Sequence, residues 1–272
     1  MFKWLFVFAG VYLFCLYIKG KRQLKAGKKN NLKPKHNEVR ASIEPEDMVP
    51  CHYCKMYLPK SEALMQEERF YCSKEHLHAL DKQGWFGSAL WRNSSNFDTR
   101  PEQVKLDLVV IHHISLPPGQ FKLQGSSQHI VDFFQNRLDP KAHPYFAQIA
   151  CQKVCSHFLI TRSGTLIQFV STQNRAWHAG VSSFMGRENC NDFSIGIELE
   201  GDADSAFEGC QYQMLAFLVQ KFQVSYPSLQ FAGHSDIAPG RKTDPGVFFD
   251  WERFHKEAGI PAQKMPYGLN AR

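Results

Sequence analysis

No strong compositional bias marks this sequence, and the missing biases narrow what it can be. Its 272 residues include only 18 Gly, far from the one-third that a collagen-like rod needs. Charged residues make up 21% and hydrophobic residues 43%, a balance that excludes wholesale disorder and a coiled coil alike. There is no internal repeat. An excess of positive charge is present, +6 from 32 Lys+Arg against 26 Asp+Glu, but it is confined to one end. Residues 1–40 carry +9, which leaves 22 basic and 25 acidic residues, or −3, for residues 41–272. A basic globular domain is therefore excluded, and no nucleic-acid partner is expected.

What is present begins with residues 4–18, a run of 15 uncharged and mostly apolar residues after Lys3. As a helix it spans roughly 23 Å, a little short of the ~30 Å hydrocarbon core. A cleaved signal peptide has an apolar region of similar length. Against that reading, the strong charge follows the run and no small-x-small cleavage site comes next. The expectation is a transmembrane anchor over residues 1–18 and a basic flexible linker over 19–48. With nine Lys/Arg and only Glu38 opposing them, the flank up to Arg40 orients the chain to the cytoplasmic face of an inner membrane, as a single-pass protein.

Residues 49–80 contain Cys51, Cys54, Cys72 and His76 in the spacing C-x2-C-x17-C-x3-H. Paired ligands on two turns are how tetrahedral structural zinc sites are assembled. So short a stretch builds little core, and a metal would supply the missing folding energy. His52 and His78 are spare candidates, while free thiols or a disulfide are the competing readings. Such a small Cys/His module would be structural or would engage an unidentified protein partner.

From about residue 84 to 260 the texture is that of an α/β domain, followed by a tail over 261–272. Leu106–Ile111, Phe193–Leu199 and Leu229–Ala232 read as strands, and His157–Thr161 with Thr165–Val170 as a hairpin. Residues His129–Arg137 and Tyr212–Val224 have helical apolar spacing. The expected fold is a mixed central β-sheet flanked by helices. His112, Glu198 and His234 fall where strands end, and Lys242 and Asp244 fall in a loop held by Gly240, Pro245 and Gly246. Two His and one carboxylate leave a fourth position open on a zinc ion, and Glu and Lys nearby would serve as base and cation. Spacing alone does not bring residues so distant in sequence together.

Six ordered blocks carry a resemblance: Val110–Gly119, Asp139–Pro144, Arg175–Ser182, Cys190–Gly201, Gly233–Pro239 and Arg241–Gly246. Together they resemble the AmpD-type 1,6-anhydro-N-acetylmuramyl-L-alanine amidases, in family order over nearly two thirds of the chain. The resemblance implies a peptidoglycan-recognition-like fold, with one catalytic zinc held by His112, His234 and Asp244. It implies Glu198 as acid/base and Lys242 as the cation at the oxyanion. Trp177, His178, Arg241 and Asn191 are implied wall residues for an anhydro-muropeptide. The implied activity is hydrolysis of the amide between N-acetylmuramic acid and L-alanine during peptidoglycan recycling. A non-catalytic peptidoglycan-binding module and a periplasmic sacculus-trimming amidase are the alternatives. His113 stands where well-known members have Asn, Asn189 replaces a basic residue, and Lys153 stands where Arg is frequent.

Overall fold

The structure is a computed structural model that describes residues 46–121 and 125–270, which belong to one compact unit. Four short strands come first: β1 (Met48–Pro50), β2 (Tyr57–Pro59), β3 (Leu64–Gln66) and β4 (Arg69–Tyr71), followed by helix α1 (Lys74–Leu77). They pair as two antiparallel hairpins, β1 with β2 and β3 with β4. Next come β5 (Leu90–Trp91), β6 (Phe97–Thr99), β7 (Leu108–Ile114), α2 (Ser126–Phe134) and α3 (Pro144–Ile149). Then follow β8 (Phe158–Ile160), β9 (Leu166–Gln168), β10 (Asn174–Ala176), β11 (Ser183–Phe184), β12 (Arg187–Glu188) and β13 (Ser194–Glu200). The chain closes with α4 (Gly209–Ser225), β14 (Gln230–Gly233), α5 (His234–Ile237) and α6 (Trp251–Ala258).

The central sheet has the order β14-β7-β13-β8-β9-β5. Strands β14, β7, β13 and β8 run parallel, while β9 turns back against β8. The mixed sheet flanked by helices expected from the sequence is present. Strands β7 and β13 are covered on both faces, which is why they read as nearly continuous apolar runs. Side chains alternate across a strand, so Val109, Ile111, Ile195, Ile197 and Phe231 form one core with Leu215, Phe222 and Phe254 of α4 and α6. Leu108, Val110 and Ala232 face the other way. His112 and Glu198 share their parity and so point away from α4 and α6.

Local signals set the helix ends. Glu208 and Gln211 form a capping box at the start of α4. Asp250 accepts a hydrogen bond from the Arg253 N–H at the start of α6, and Gly259 ends that helix at φ 61°.

The expected placement as a single-pass protein on the cytoplasmic face of an inner membrane is corrected. Among the described residues no helix is long and apolar enough to cross a membrane. The 17-residue α4 spans only about 26 Å, and it carries Gln213, Gln220, Lys221 and Gln223 between its buried positions. The anchor expected over residues 1–18 and nearly all of the linker over 19–48 lie outside the described residues.

Candidate active site

Register brings the distant residues together. In the parallel pairing of β7 with β13, His112 stands opposite Glu198. On its other side Ile111 pairs with Gly233, so His234 leaves β14 beside His112. The 240–246 loop returns over this corner, where the Ser235 N–H donates to the Asp244 carbonyl at 2.8 Å. These strand ends open on a cavity of about 590 Å³ lined by His112, His178, Glu198, His234, Lys242 and Asp244. Crevices beyond the carboxyl ends of parallel strands are the usual ligand sites of such sheets.

His112, His234 and Asp244 converge. The His112 Nδ1 lies 2.9 Å from the His234 Nδ1, and each lies 3.0 Å from the Asp244 Oδ2. Hydrogen bonds behind the rings decide which nitrogens carry protons. The Ser194 hydroxyl donates to the Cys190 carbonyl and therefore accepts from His178 Nε2 at 3.1 Å. That leaves His178 Nδ1 as the acceptor for His112 Nε2–H at 2.9 Å. His234 Nε2–H donates to the Ala179 carbonyl at 3.0 Å. Both Nδ1 atoms are thus bare lone pairs aimed at one carboxylate oxygen, an arrangement that repels itself unless a cation stands among them. Burial first, and then the charge of His234, lower the His112 pKa to about 4. The donor set fits a metal ion: neutral imidazoles and a carboxylate are zinc ligands, and outer hydrogen bonds fix the tautomers.

Glu198 is the second carboxyl of the cavity. Its Oε2 is buried and has no hydrogen-bond partner. Burial, and secondarily the charge of Asp244, raise its pKa well above the ordinary value, while Lys242 pulls the other way. A carboxylate held with a high proton affinity beside a cavity is suited to accept and return a proton.

Gly196, two residues before Glu198 on the same face, makes room for this network. A Cβ built there would lie 2.5 Å from the His178 Cγ and 2.8 Å from the Ser156 Oγ. The His178 ring occupies the notch that the missing side chain leaves.

The other sequence candidates are placed differently. Trp177 and His178 line the cavity. Asn191 and Arg241 are not among its lining residues. Asn191 accepts hydrogen bonds from the backbone N–H groups of His178 and Ala179 through Oδ1. Arg241 donates to the carbonyls of Ala179 and Val181. Both brace the 178–181 segment. Cys51, Cys54, Cys72 and His76 gather into a second cluster, apart from the cavity lining. His52 and His78 are outside it, packed on Trp91 and Phe217 respectively. Sequence reasoning missed Ser194 and Ser156. Ser194 closes the hydrogen-bond chain behind His178, and Ser156 brings a buried, unpartnered Oγ to the cavity wall. Single serines carry no motif, and only the strand register reveals them.

Two imidazoles and a carboxylate at the ends of parallel strands, with a second carboxyl free beside them, are the constitution of a mononuclear metal hydrolase. The chain belongs to the N-acetylmuramoyl-L-alanine amidase family, whose model matches residues 102–247, and it is an amidase. It is 51% identical over 164 residues to the 1,6-anhydro-N-acetylmuramyl-L-alanine amidase AmpD of Haemophilus influenzae, covering 59% of this chain and 87% of the relative. The AmpD of Escherichia coli K12 is 49% identical over 177 residues, covering 64% of this chain and 94% of the relative. A crystal structure of a selenomethionine AmpD derivative, 48% identical, matches with a TM-score of 0.62 over 65% of this chain and 97% of that one.

Proposed function

We propose that this amidase hydrolyses the amide between 1,6-anhydro-N-acetylmuramic acid and L-alanine in soluble muropeptides, a step of peptidoglycan recycling. The observation that carries the reading is the convergence of three lone pairs from His112, His234 and Asp244 beside the unpartnered Glu198 Oε2. His112, His234 and Asp244 would hold one zinc ion. When bound, zinc supplies Lewis acidity, which lowers the pKa of water towards ~7 and polarises a carbonyl oxygen.

The side chains divide the remaining work. The His178–Ser194–Cys190 chain keeps the His112 lone pair directed at the metal position. Glu198 takes the proton of the attacking water and returns it to the departing L-alanine amine, so the amide C–N bond breaks without releasing an unprotonated amine. The Lys242 ammonium, on the same cavity wall, stabilises the negative charge that develops on the carbonyl oxygen. Trp177 offers an apolar face to the sugar or the peptide. His113 and Asp202 line the same cavity.

The purified full-length chain should release the stem peptide from an anhydro-muropeptide, lose that activity to a chelator and regain it with zinc. Binding of the muropeptide without hydrolysis by the zinc-loaded chain would overturn the assignment in favour of a recognition module.

A further inference from the structure

The hairpins and helix over residues 48–77 have too little interior to hold themselves together. Their buried apolar residues are Cys51, Leu58 and Tyr71, with Val49, Ala63, Leu64, Cys72 and Leu77 only partly covered. Small units of this kind rely on a staple. At the centre of this one, four side chains present ligand atoms that all lie within 4.8 Å of one another. Cys54 Sγ and Cys72 Sγ are 3.8 Å apart, Cys51 Sγ and His76 Nδ1 3.7 Å, and Cys72 Sγ and His76 Nδ1 3.0 Å. A tetrahedron with Zn–S near 2.3 Å and Zn–N near 2.05 Å has S···S edges of about 3.8 Å and S···N edges of about 3.6 Å. A disulfide would need sulfurs about 2.0 Å apart.

The backbone is shaped for the same purpose. Residues 52–54 form a turn between the first two ligands. The turn is closed by Lys55 N–H to the Cys51 carbonyl at 2.9 Å, with Lys55 at φ 65°. His52 N–H donates to the Phe70 carbonyl at 2.7 Å, which ties the first ligand pair to the second. His76 sits in α1, and its own N–H donates to the capping Ser73 Oγ at 3.3 Å.

The stapled unit lies against the free edge of the central sheet. Strand β5 is the last strand of that sheet and leaves one ladder edge unpaired. The β3–β4 hairpin covers it: Glu67 accepts from the Trp91 N–H at 3.3 Å, and Arg69 donates to the Ala89 carbonyl at 2.8 Å. The Arg69 guanidinium stacks 3.6 Å from the Trp91 ring, and Tyr71 Oη donates to the Gly87 carbonyl at 3.2 Å. The approach is so close that a Cβ at Gly87 would meet the Leu77 carbonyl oxygen at 2.4 Å.

We propose that Cys51, Cys54, Cys72 and His76 hold one structural zinc ion, and that this ion fixes residues 48–77 as a clasp over the β5 edge of the amidase sheet. The proposal stands apart from the catalytic reading, since none of its ligands lines the cavity. Metal counting on the purified full-length chain tests it: two zinc ions per chain are expected. The variant Cys54→Ser, at an exposed ligand, should hold one ion, and the double variant His234→Ala with Asp244→Ala should also hold one. Only the ion left in the double variant should be released by a mercurial thiol reagent. A Cys54→Ser chain with the same zinc count as wild type would overturn the metal site, whatever the double variant shows. Loss of one ion from the double variant alone would support the catalytic reading and refute this one.

Hydrogen exchange reads the clasp. Amides of Leu90 and Trp91 should exchange about tenfold faster in Cys54→Ser. Unchanged exchange in a chain that has lost the ion would overturn the clasp. If Cys54→Ser does not accumulate, the wild-type chain loaded with cobalt decides: a thiolate-to-cobalt charge-transfer band supports the site, and its absence overturns it.

Discussion

Among the described residues two clusters of side chains could hold a metal ion, and they are built in opposite ways. At the catalytic end the scaffold makes the ligands. His112 and Glu198 are on strands buried on both faces, His234 follows a third strand, and Asp244 arrives on a loop tied to Ser235. At the Cys/His end the ligands would make the scaffold, because three buried apolar residues give thirty residues little core. The same ion would serve chemistry in one place and folding in the other. Ligand spacing follows from this difference: local pairs four residues or fewer apart in the module, and His112 more than a hundred residues from His234 and Asp244 at the cavity.

The largest expected effect tests that contrast directly. Asp244→Ala should lower amidase turnover by at least about 10³-fold, with zinc lost from the cavity, while the thermal midpoint moves by only a few degrees, read by calorimetry. A collapse of the fold in that variant would show that the sheet needs its metal as much as the module does. Glu198→Gln comes next: it keeps the shape and removes the proton acceptor, so kcat should fall by roughly 10²–10⁴-fold with zinc still bound. Zinc lost along with activity would instead make Glu198 a ligand.

Smaller effects separate positioning from ligation. His178→Leu removes the acceptor behind His112 and should weaken zinc binding by about 10–100-fold in a competition titration. His178→Asn, whose amide oxygen can take the Nδ1 place, should recover most of the loss. Equal affinity in the Leu variant would mean that the His112 tautomer is held by something else.

The smallest is a pH effect. His157 is buried between the sheet and Arg100. Its Nδ1 accepts from the Gly196 N–H at 3.0 Å, and Nε2 donates to the Asn174 carbonyl at 3.0 Å. Burial first, and then the Arg100 charge, lower its pKa from 6.5 to about 3. The unfolded chain therefore binds this proton before the folded one does. Its contribution is complete above pH 6.5 and is lost as pH falls towards 3, with a slope of up to about 1.4 kcal/mol per pH unit. Denaturant unfolding at pH 7, 6 and 5 should show this decline, and His157→Gln should flatten it.

Much of this arrangement could be read without coordinates. The runs Leu106–Ile111 and Phe193–Leu199 declare buried strands, and the six motif blocks pick out His112, Glu198, His234, Lys242 and Asp244. The structure gathers these five around one cavity. Alternation along β7 separates His112 from His113, and it is His112 whose nitrogen meets His234 and Asp244. Other parts depend on contacts that no local pattern encodes. Arg241 resembles a substrate ligand in its motif, yet it spends its donors on the carbonyls of Ala179 and Val181. Asn191 braces the backbone of His178 and Ala179. The meeting of Glu67 and Arg69 with β5 depends on where two short hairpins come to rest, which sequence spacing leaves open.

Gly196 offers a last consequence. It has no side chain and is not among the residues that line the cavity. A single methyl group there would push His178 out of its notch and let the proton on His112 migrate to the nitrogen that must stay bare. A saturation scan scored on hydrolysis would rank this position among the reacting residues. Intolerance to change here would measure the shape of an empty space.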